Sequence, residues 1–169
     1  MRFFIIISFF FLSISSVISE ENIENAIESN EIEYFNETGE LKALGSVKIT
    51  RESFQLEADE VIFNQKNNII EGIGNVVIKE KDGSTILASK FKLSSDLSDG
   101  IIEMPTLLTK EGVNISSAYA IRNGSKSIVL KKAIFSPCQD CKSSKEKPSW
   151  QVKANRIIYD EENGNIIYE

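Results

Sequence analysis

The chain carries one short sequence pattern five times, and this repetition constrains its fold more than any other feature. In each copy a small residue is followed by two variable residues, an apolar residue, one more variable residue and usually a large apolar residue. The small residues are Ser29, Ala58, Ala88, Ala118 and Ala154, so successive copies are 29, 30, 30 and 36 residues apart. A fixed period in this range is typical of stacked units that share one core, because a single unit cannot bury its own apolar face.

The segments between the copies have the alternation of strands. Every second residue is apolar or glycine in 41–49, and the same arrangement returns in 70–78. Alternation of this kind places one face on a core and the other in water. Turn-forming residues at 36–39, 65–68 and 161–164 separate these segments. Each unit is therefore predicted to hold about two strands joined by a turn, and the fold class is all-β.

Within each unit the small residue shifts the alternation by one. The apolar residues before Ala58 share one face, whereas Val61 and Phe63 are out of step with them. We predict a β-bulge near residues 59–60, which returns both sets to the interior. A strand that bends there can turn a corner between two packed sheets.

The first 19 residues have the organisation of a secretory signal peptide. Arg2 precedes an apolar run at 3–12, and a short polar stretch of small residues ends at Ser19. An uncleaved membrane anchor is the alternative, but the run is shorter than the ~20 residues that a span needs. Residues 20–28 are predicted to be a flexible arm, with a short helix over 21–31 as the alternative.

Residues 29–169 are predicted to form one β-domain. The last interval between copies is longer because a polar, proline-bounded loop is inserted at 136–149. The chain stops within the pattern, on the apolar residues 166–168. We therefore expect a domain that is truncated at its C-terminal end.

Composition argues against catalysis, metal binding and nucleic-acid binding. The chain has no histidine, the commonest general base and metal ligand, and its net charge is -6. An acidic chain does not offer the basic surface that nucleic acids require. No phosphate-binding loop and no nucleophile–base pair is visible. We expect no enzyme, no metal and no cofactor.

Cys138 and Cys141 form the one candidate constellation. A zinc site would need two further thiolates or histidines, which the chain lacks. A thioredoxin-like redox pair would need a βαβ setting. The simplest interpretation is a disulfide in an oxidising compartment, either local or to another cysteine.

The apolar residues of the central units are the remaining candidate surface. In a closed domain they form the core. If the two sheets do not fully close, they line an apolar groove for lipid tails, where each buried methylene contributes about 0.8 kcal/mol. The predicted groove residues are Phe54, Leu56, Val61, Phe63, Val76, Ile78, Phe91 and Leu93.

Two sets of residues resemble a known family. Residues 58–59 together with 74–78 resemble the repeat of the OstA-like lipopolysaccharide-transport proteins. Residues 133–138, 148–154 and 157–160, a cysteine followed by the single tryptophan, resemble the end of the periplasmic N-terminal domain found in LptD proteins.

The resemblance implies an OstA/LptA-like β-jelly roll, in which repeated antiparallel strand pairs form two facing sheets that are open at the ends. It implies a periplasmic location associated with the outer membrane and lipid A acyl chains inside the roll. It also implies docking with an LptA-type bridge protein by edge-strand addition. An LptE-type plug lipoprotein would be a partner if the outer-membrane barrel follows. Family members link this domain to the barrel by disulfides; Cys138 matches that pattern, Cys141 matches a subset, and local pairing stays open.

The sequence therefore predicts a component of lipopolysaccharide transport and outer-membrane assembly. Two alternatives remain, a free LptA-like periplasmic bridge protein and a structural periplasmic β-repeat with no ligand.

Overall fold

The computed structural model describes residues 25–51, 54–124, 127–137 and 150–169, and within these ranges it contains strands and no helix. The predicted signal peptide and both cysteines lie outside the described residues. The strands are β1 (Asn25–Glu28), β2 (Glu31–Phe35), β3 (Glu40–Arg51), β4 (Phe54–Asn64), β5 (Ile69–Glu80), β6 (Thr85–Ser94), β7 (Gly100–Glu103), β8 (Thr106–Leu108), β9 (Asn114–Ser116), β10 (Tyr119–Arg122), β11 (Ser127–Ser136), β12 (Val152–Asp160) and β13 (Asn165–Tyr168).

All of these strands pair in antiparallel fashion, and the long ones are shared between two layers. Residues 90–93 of β6 pair with β7, whereas residues 85–87 of the same strand pair with β8. In β11 the first half pairs with β10 and the second half with β9. We call layer A the half-sheet that contains β2, β7, β10 and β13, and layer B the half-sheet that contains β1, β8 and β9. Strands β3, β4, β5, β6, β11 and β12 contribute one half to each layer.

Contacts between distant strand ends show that the two layers fold over each other. Arg51 ends β3 in layer B, and its Nη1 donates a hydrogen bond to the carbonyl oxygen of Ser95, just past the layer A end of β6, at 3.0 Å. In a flat sheet these groups would stand about 30 Å apart, because a strand of ten residues rises ~3.3 Å per residue. The fold is a β-jelly roll of two facing layers with the core between them.

The layers join along a corner and end in two rims. The corner is the line where the long strands pass from one layer to the other. Rim A is the set of turns at the free ends of layer A, residues 36–39, 65–68, 95–99, 122–124 and 160–164. Rim B is the corresponding edge of layer B, residues 51, 80–85 and 109–113. We call the gap between the rims the mouth of the roll.

Backbone bulges make the corner, but not on the predicted strand. Ala58 and Val61 are both buried, so the shift in alternation is confirmed. The extra residue, however, lies on the neighbouring strands, at residues 45–46 of β3 and 74–75 of β5. Both residues of each pair have positive φ, 75° and 50° at 45–46 and 75° and 46° at 74–75. Glycine adopts this left-handed conformation without steric cost, so it opens both bulges.

The N-terminal segment differs from its prediction. Residues 25–28, assigned above to a flexible arm, form β1 and pair with residues 48–51 of β3. No helix occurs over 25–31 either. All four residues of β1 pair with β3, and all five residues of β2 do the same. This pairing outweighs the weak local preference of the N-terminal segment for a helix or an irregular arm.

Candidate lipid-binding interior and its mouth

The structure brings all eight predicted groove residues into one apolar cluster. They lie on β4, β5 and β6 and face the space between the layers. Phe63 is half-buried and packs against the cluster, and the other seven side chains are buried. In this conformation these side chains are packed as a core and do not line an open groove.

The cluster continues well beyond the predicted residues. It runs from Val47 on β3 to Tyr159 on β12, so the apolar interior crosses nearly the full width of the roll. Its further members come from the first unit as well as from later ones. Those that are fully buried are Ile86, Ile102, Ile115, Ala120, Ile128, Leu130 and Ile157.

One aromatic side chain, that of Phe91, packs against bare backbone in the interior. Phe91 stands opposite Gly72 in the ladder of β5 and β6. A Cβ atom at Gly72 would lie 2.1 Å from the Phe91 ring, so the ring covers the bare backbone of the glycine. The glycine therefore leaves room for the largest side chain at this level of the roll.

A buried arginine crosses the mouth. Arg122 ends β10 in rim A, and its Nη1 donates to Glu80 Oε1 of rim B at 2.7 Å. Its Nη2 donates to both carboxylate oxygens of Glu161 in rim A, at 2.8 and 3.0 Å. The side chains of Arg122, Glu80 and Glu161 are only 3%, 17% and 13% exposed. The Arg122–Glu80 contact ties the two layers together opposite the corner, and Glu161 holds the guanidinium in place from within layer A.

Burial and charge act against each other in this ion-pair group. Burial disfavours the charged guanidinium, but attraction by Glu80 and Glu161 outweighs it and raises the pKa of Arg122. Burial raises the pKa of Glu161, and Arg122 offsets only part of this effect. The group therefore holds its charges at a desolvation cost.

A second tie lies nearer the N-terminal side of the roll. It is the hydrogen bond from Arg51 to the Ser95 carbonyl described above, and the Arg51 guanidinium also lies 5.8 Å from the centre of the Phe54 ring. Leu97 lies in the same turn as Ser95. Its backbone has a φ of 61°, and its side chain is buried in the core. Asp96 Oδ1 holds this turn by accepting hydrogen bonds from Ser94 and Ser98.

Sequence reasoning missed Arg122 because it placed the fourth copy of the pattern one residue too late. Asn30 N donates to the carbonyl of Leu44, and the equivalent bond in the fourth unit joins Ala118 N to Lys131. Ala118 thus corresponds to Asn30, and the small residue of the fourth copy is Ser117 instead of Ala118. The large apolar position of that copy is then Arg122. A charged residue in an otherwise apolar position was the signal available in the sequence.

The two ends of the roll expose apolar edge strands. At the N-terminal end all five residues of β2 are exposed, including Ile32, Tyr34 and Phe35. At the C-terminal end Phe135 packs against Trp150 and Tyr168, with ring centres 5.6 and 5.5 Å apart. A cleft of about 590 Å³ adjoins this cluster, lined by residues 132–134, 152–155 and 168–169. Over the part of the chain that is described, no helix is long and apolar enough to cross a membrane.

These features define a class of protein, a two-layered roll with a continuous apolar interior and no visible catalytic group among the described side chains. The model of the family described as LptA/(LptD N-terminal domain) LPS transport protein matches residues 26–165. The chain belongs to this family.

Individual relatives agree with this assignment. The chain is 30% identical over 122 residues to LPS-assembly protein LptD of Nitrosococcus oceani, an alignment that covers 71% of the chain and 16% of the relative. It is 27% identical over 121 residues to LPS-assembly protein LptD of Pseudomonas putida strain GB-1, covering 71% of the chain and 12% of the relative. The chain thus spans about a sixth or less of the length of these relatives.

Comparison with solved structures gives a match of low sequence identity. It is LptH, the LptA homologous periplasmic component of the conserved lipopolysaccharide transport device from Pseudomonas aeruginosa. The comparison has a TM-score of 0.47 and 10% identity, and it covers 85% of this chain and 80% of LptH.

Proposed function

We propose that this roll accepts the lipid A acyl chains of lipopolysaccharide between its layers and passes them towards the outer membrane. The observation that carries the proposal is the continuity of the apolar interior, a single cluster of buried apolar side chains that extends from β3 to β12. An acyl chain in such an interior is held by apolar burial, at about 0.8 kcal/mol per methylene, without directional bonds. It is therefore free to slide along the roll.

The same proposal assigns a location and partners. The protein acts in the periplasm, associated with the outer membrane, after cleavage of the signal peptide. An LptA-type bridge protein adds its edge strand to β2, because an exposed, apolar edge strand is a template for pairing with another chain. An LptE-type plug lipoprotein joins where a barrel follows in the intact protein. Cys138 and Cys141 form disulfides, locally or to that barrel.

One observation favours a different function. Seven of the eight predicted groove residues are packed in the core, which is what a purely structural periplasmic β-repeat without a ligand would show. A free LptA-like bridge protein remains the alternative within the transport class.

Photocrosslinking distinguishes a conduit from a structural repeat. A benzophenone amino acid replaces Phe63, which is half-buried, so that a larger aromatic group is accommodated at the layer A end of β4. The matched control carries the same amino acid at Gln55, an exposed residue of the same strand. We expect lipopolysaccharide to crosslink at Phe63 and not at Gln55. Crosslinking at Gln55 alone, or at neither position, contradicts the conduit.

A second pair of probes tests the docking edge. Tyr34 on β2 and Tyr168 on β13 are both edge-strand tyrosines, 49% and 42% exposed. With the benzophenone amino acid at each in turn, we expect an LptA-type protein to be captured at Tyr34 and not at Tyr168. Capture at Tyr168 alone would place the bridge at the opposite end of the roll.

A further inference from the structure

We propose that Glu80, Arg122 and Glu161 form a latch across the mouth, which parts when lipopolysaccharide occupies the interior. The latch rests on the proposed function, because it concerns how the same interior takes up its ligand. Its geometry stands apart from that function, since Arg122 of rim A donates to Glu80 of rim B and Glu161 holds the same guanidinium from within rim A.

The chemistry of the ligand requires an opening. Lipopolysaccharide joins acyl chains to a bulky, charged saccharide, and a charged saccharide is not transferred into an apolar interior. The acyl chains therefore lie between the layers while the saccharide stays in water, and the bonds that connect them pass between the rims. In the structure the rims are held together at Arg122 and at Arg51. A lipid that slides along the roll has to separate these ties.

The Arg122 group is the stronger of the two ties. It places three charge-assisted hydrogen bonds on one guanidinium, whereas Arg51 makes a single bond to a neutral carbonyl. Glu80 comes from the layer B end of β5 and bonds Arg122 across the mouth, whereas Glu161, in the turn after β12, holds the guanidinium from within rim A. Opening the mouth at this level requires the Arg122–Glu80 ion pair to separate.

The closed latch also has an unfavourable free-energy contribution, which makes the contact easier to open. Arg122 Nε is buried and has no hydrogen-bond partner among the described residues. A buried polar group without a partner is destabilising, and so is each carboxylate that has left water. Parting the rims returns all three side chains to water, so hydration offsets part of the lost attraction. The closed state of the latch is therefore only moderately favoured, and the rims can part reversibly.

Distance measurements across the mouth test the proposal. Nitroxide labels are placed at Lys110→Cys in rim B and Asn163→Cys in rim A, both exposed positions, with Cys138→Ser and Cys141→Ser removing the native thiols. The control pair, Asn123→Cys with Asn163→Cys, lies within rim A. Pulsed electron paramagnetic resonance is recorded with and without purified lipopolysaccharide. We expect lipopolysaccharide to lengthen the cross-mouth distance and to leave the control distance unchanged.

A variant tests the latch residues themselves. Glu80→Gln keeps the size of the side chain and removes the charge that faces Arg122 across the mouth, so the cross-mouth pair should show the longer distance even without lipid. Glu37→Gln, which removes an exposed carboxylate elsewhere in rim A, should leave that distance as in the parent. An unchanged distance in Glu80→Gln argues against the latch.

The outcomes separate the latch from the proposed function. If lipopolysaccharide crosslinks at Phe63 but the cross-mouth distance does not change, the latch is wrong and the conduit stands. If no crosslinking occurs at Phe63, the conduit fails and the latch with it. A short bismaleimide tether between positions 110 and 163 gives the converse test. It should abolish crosslinking at Phe63, and undiminished crosslinking in the tethered protein overturns the latch.

Discussion

Three glycines with the same backbone angle allow the corner of the roll to be tested quantitatively. Gly45, Gly74 and Gly124 all have a φ of 75°. A Cβ at Gly124 would meet nothing within 4 Å among the described residues, whereas a Cβ at Gly74 would lie 2.3 Å from Asp59 Oδ2. Gly124→Ala therefore isolates the cost of the left-handed backbone, and Gly74→Ala adds a clash inside the corner.

The expected magnitudes follow from these contacts. The left-handed conformation costs alanine about 1–2 kcal/mol, so Gly124→Ala should lower the free energy of unfolding by roughly that amount. Gly74→Ala must also displace Asp59, which accepts a hydrogen bond from Asn75 Nδ2 at 2.9 Å. Losing that bond adds about 1 kcal/mol, and the total is about 2–3 kcal/mol. For a domain of this size each kcal/mol lowers the melting temperature by roughly 2–4 °C.

Thermal unfolding followed by circular dichroism measures these differences, and a double-mutant cycle assigns them. In an Asp59→Ala background the carboxylate is gone and only the Cβ of residue 59 remains, at 3.1 Å, so Gly74→Ala should cost little more than Gly124→Ala. Gly45→Ala, whose Cβ would lie 2.6 Å from Asn30 Nδ2, should behave like Gly74→Ala. If Gly74→Ala costs the same as Gly124→Ala, or the same with and without Asp59, the packed corner does not explain the glycine.

The remaining predictions concern the interior. Burial raises the pKa of Tyr159 to about 12 from 10, and Glu111, Asp82 and Glu161 add to the effect. Folding therefore favours the neutral phenol; the stability it supplies is complete below pH 10 and is lost as the pH rises through about 12. Phenolate absorbance should contain a component near that pH which Tyr159→Phe removes, and a midpoint near 10 for Tyr159 would contradict its burial. Phe91→Ala should lower the free energy of unfolding by about 3–5 kcal/mol in denaturant titrations, because it removes a buried ring, whereas Phe35→Ala on the exposed edge should cost less than about 0.5 kcal/mol. Equal costs for these two variants would show that the interior is not packed around Phe91.

The repeat pattern predicted the strands well because period-two alternation is a local signal. Ala58, Ala88 and Ala154 lie at the corner, where a small side chain fits between layers that approach each other. Met104 has a positive φ, as Gly45 and Gly74 do, and all three lie 16 residues after the small residue of their copy. In the next unit the positive φ occurs at Lys132, 15 residues after Ser117.

Local sequence patterns could not predict the ion pairs at the mouth of the roll. Glu80 and Arg122 are separated by 42 residues, and their pairing depends on how far the two layers fold over. Arg122 and Glu161 are 39 residues apart and meet because β10 and β12 flank the same half of β11. In the sequence each of these residues resembles an exposed strand end. The arm over 25–28 was missed for a related reason, since β1 exists only because β3 offers it a free edge.

The bulges at 45–46 and 74–75 have a consequence for the architecture as a whole. Each bend is made by residues of one unit and the unit beside it. The width of the interior therefore does not depend on how many units are stacked. Inserting one more unit of two strands would lengthen the roll by about 10 Å, since neighbouring strands are ~4.8 Å apart, and would leave both end surfaces as they are. The length of the roll can therefore change with the number of units, while the exposed edge strands at its two ends stay the same.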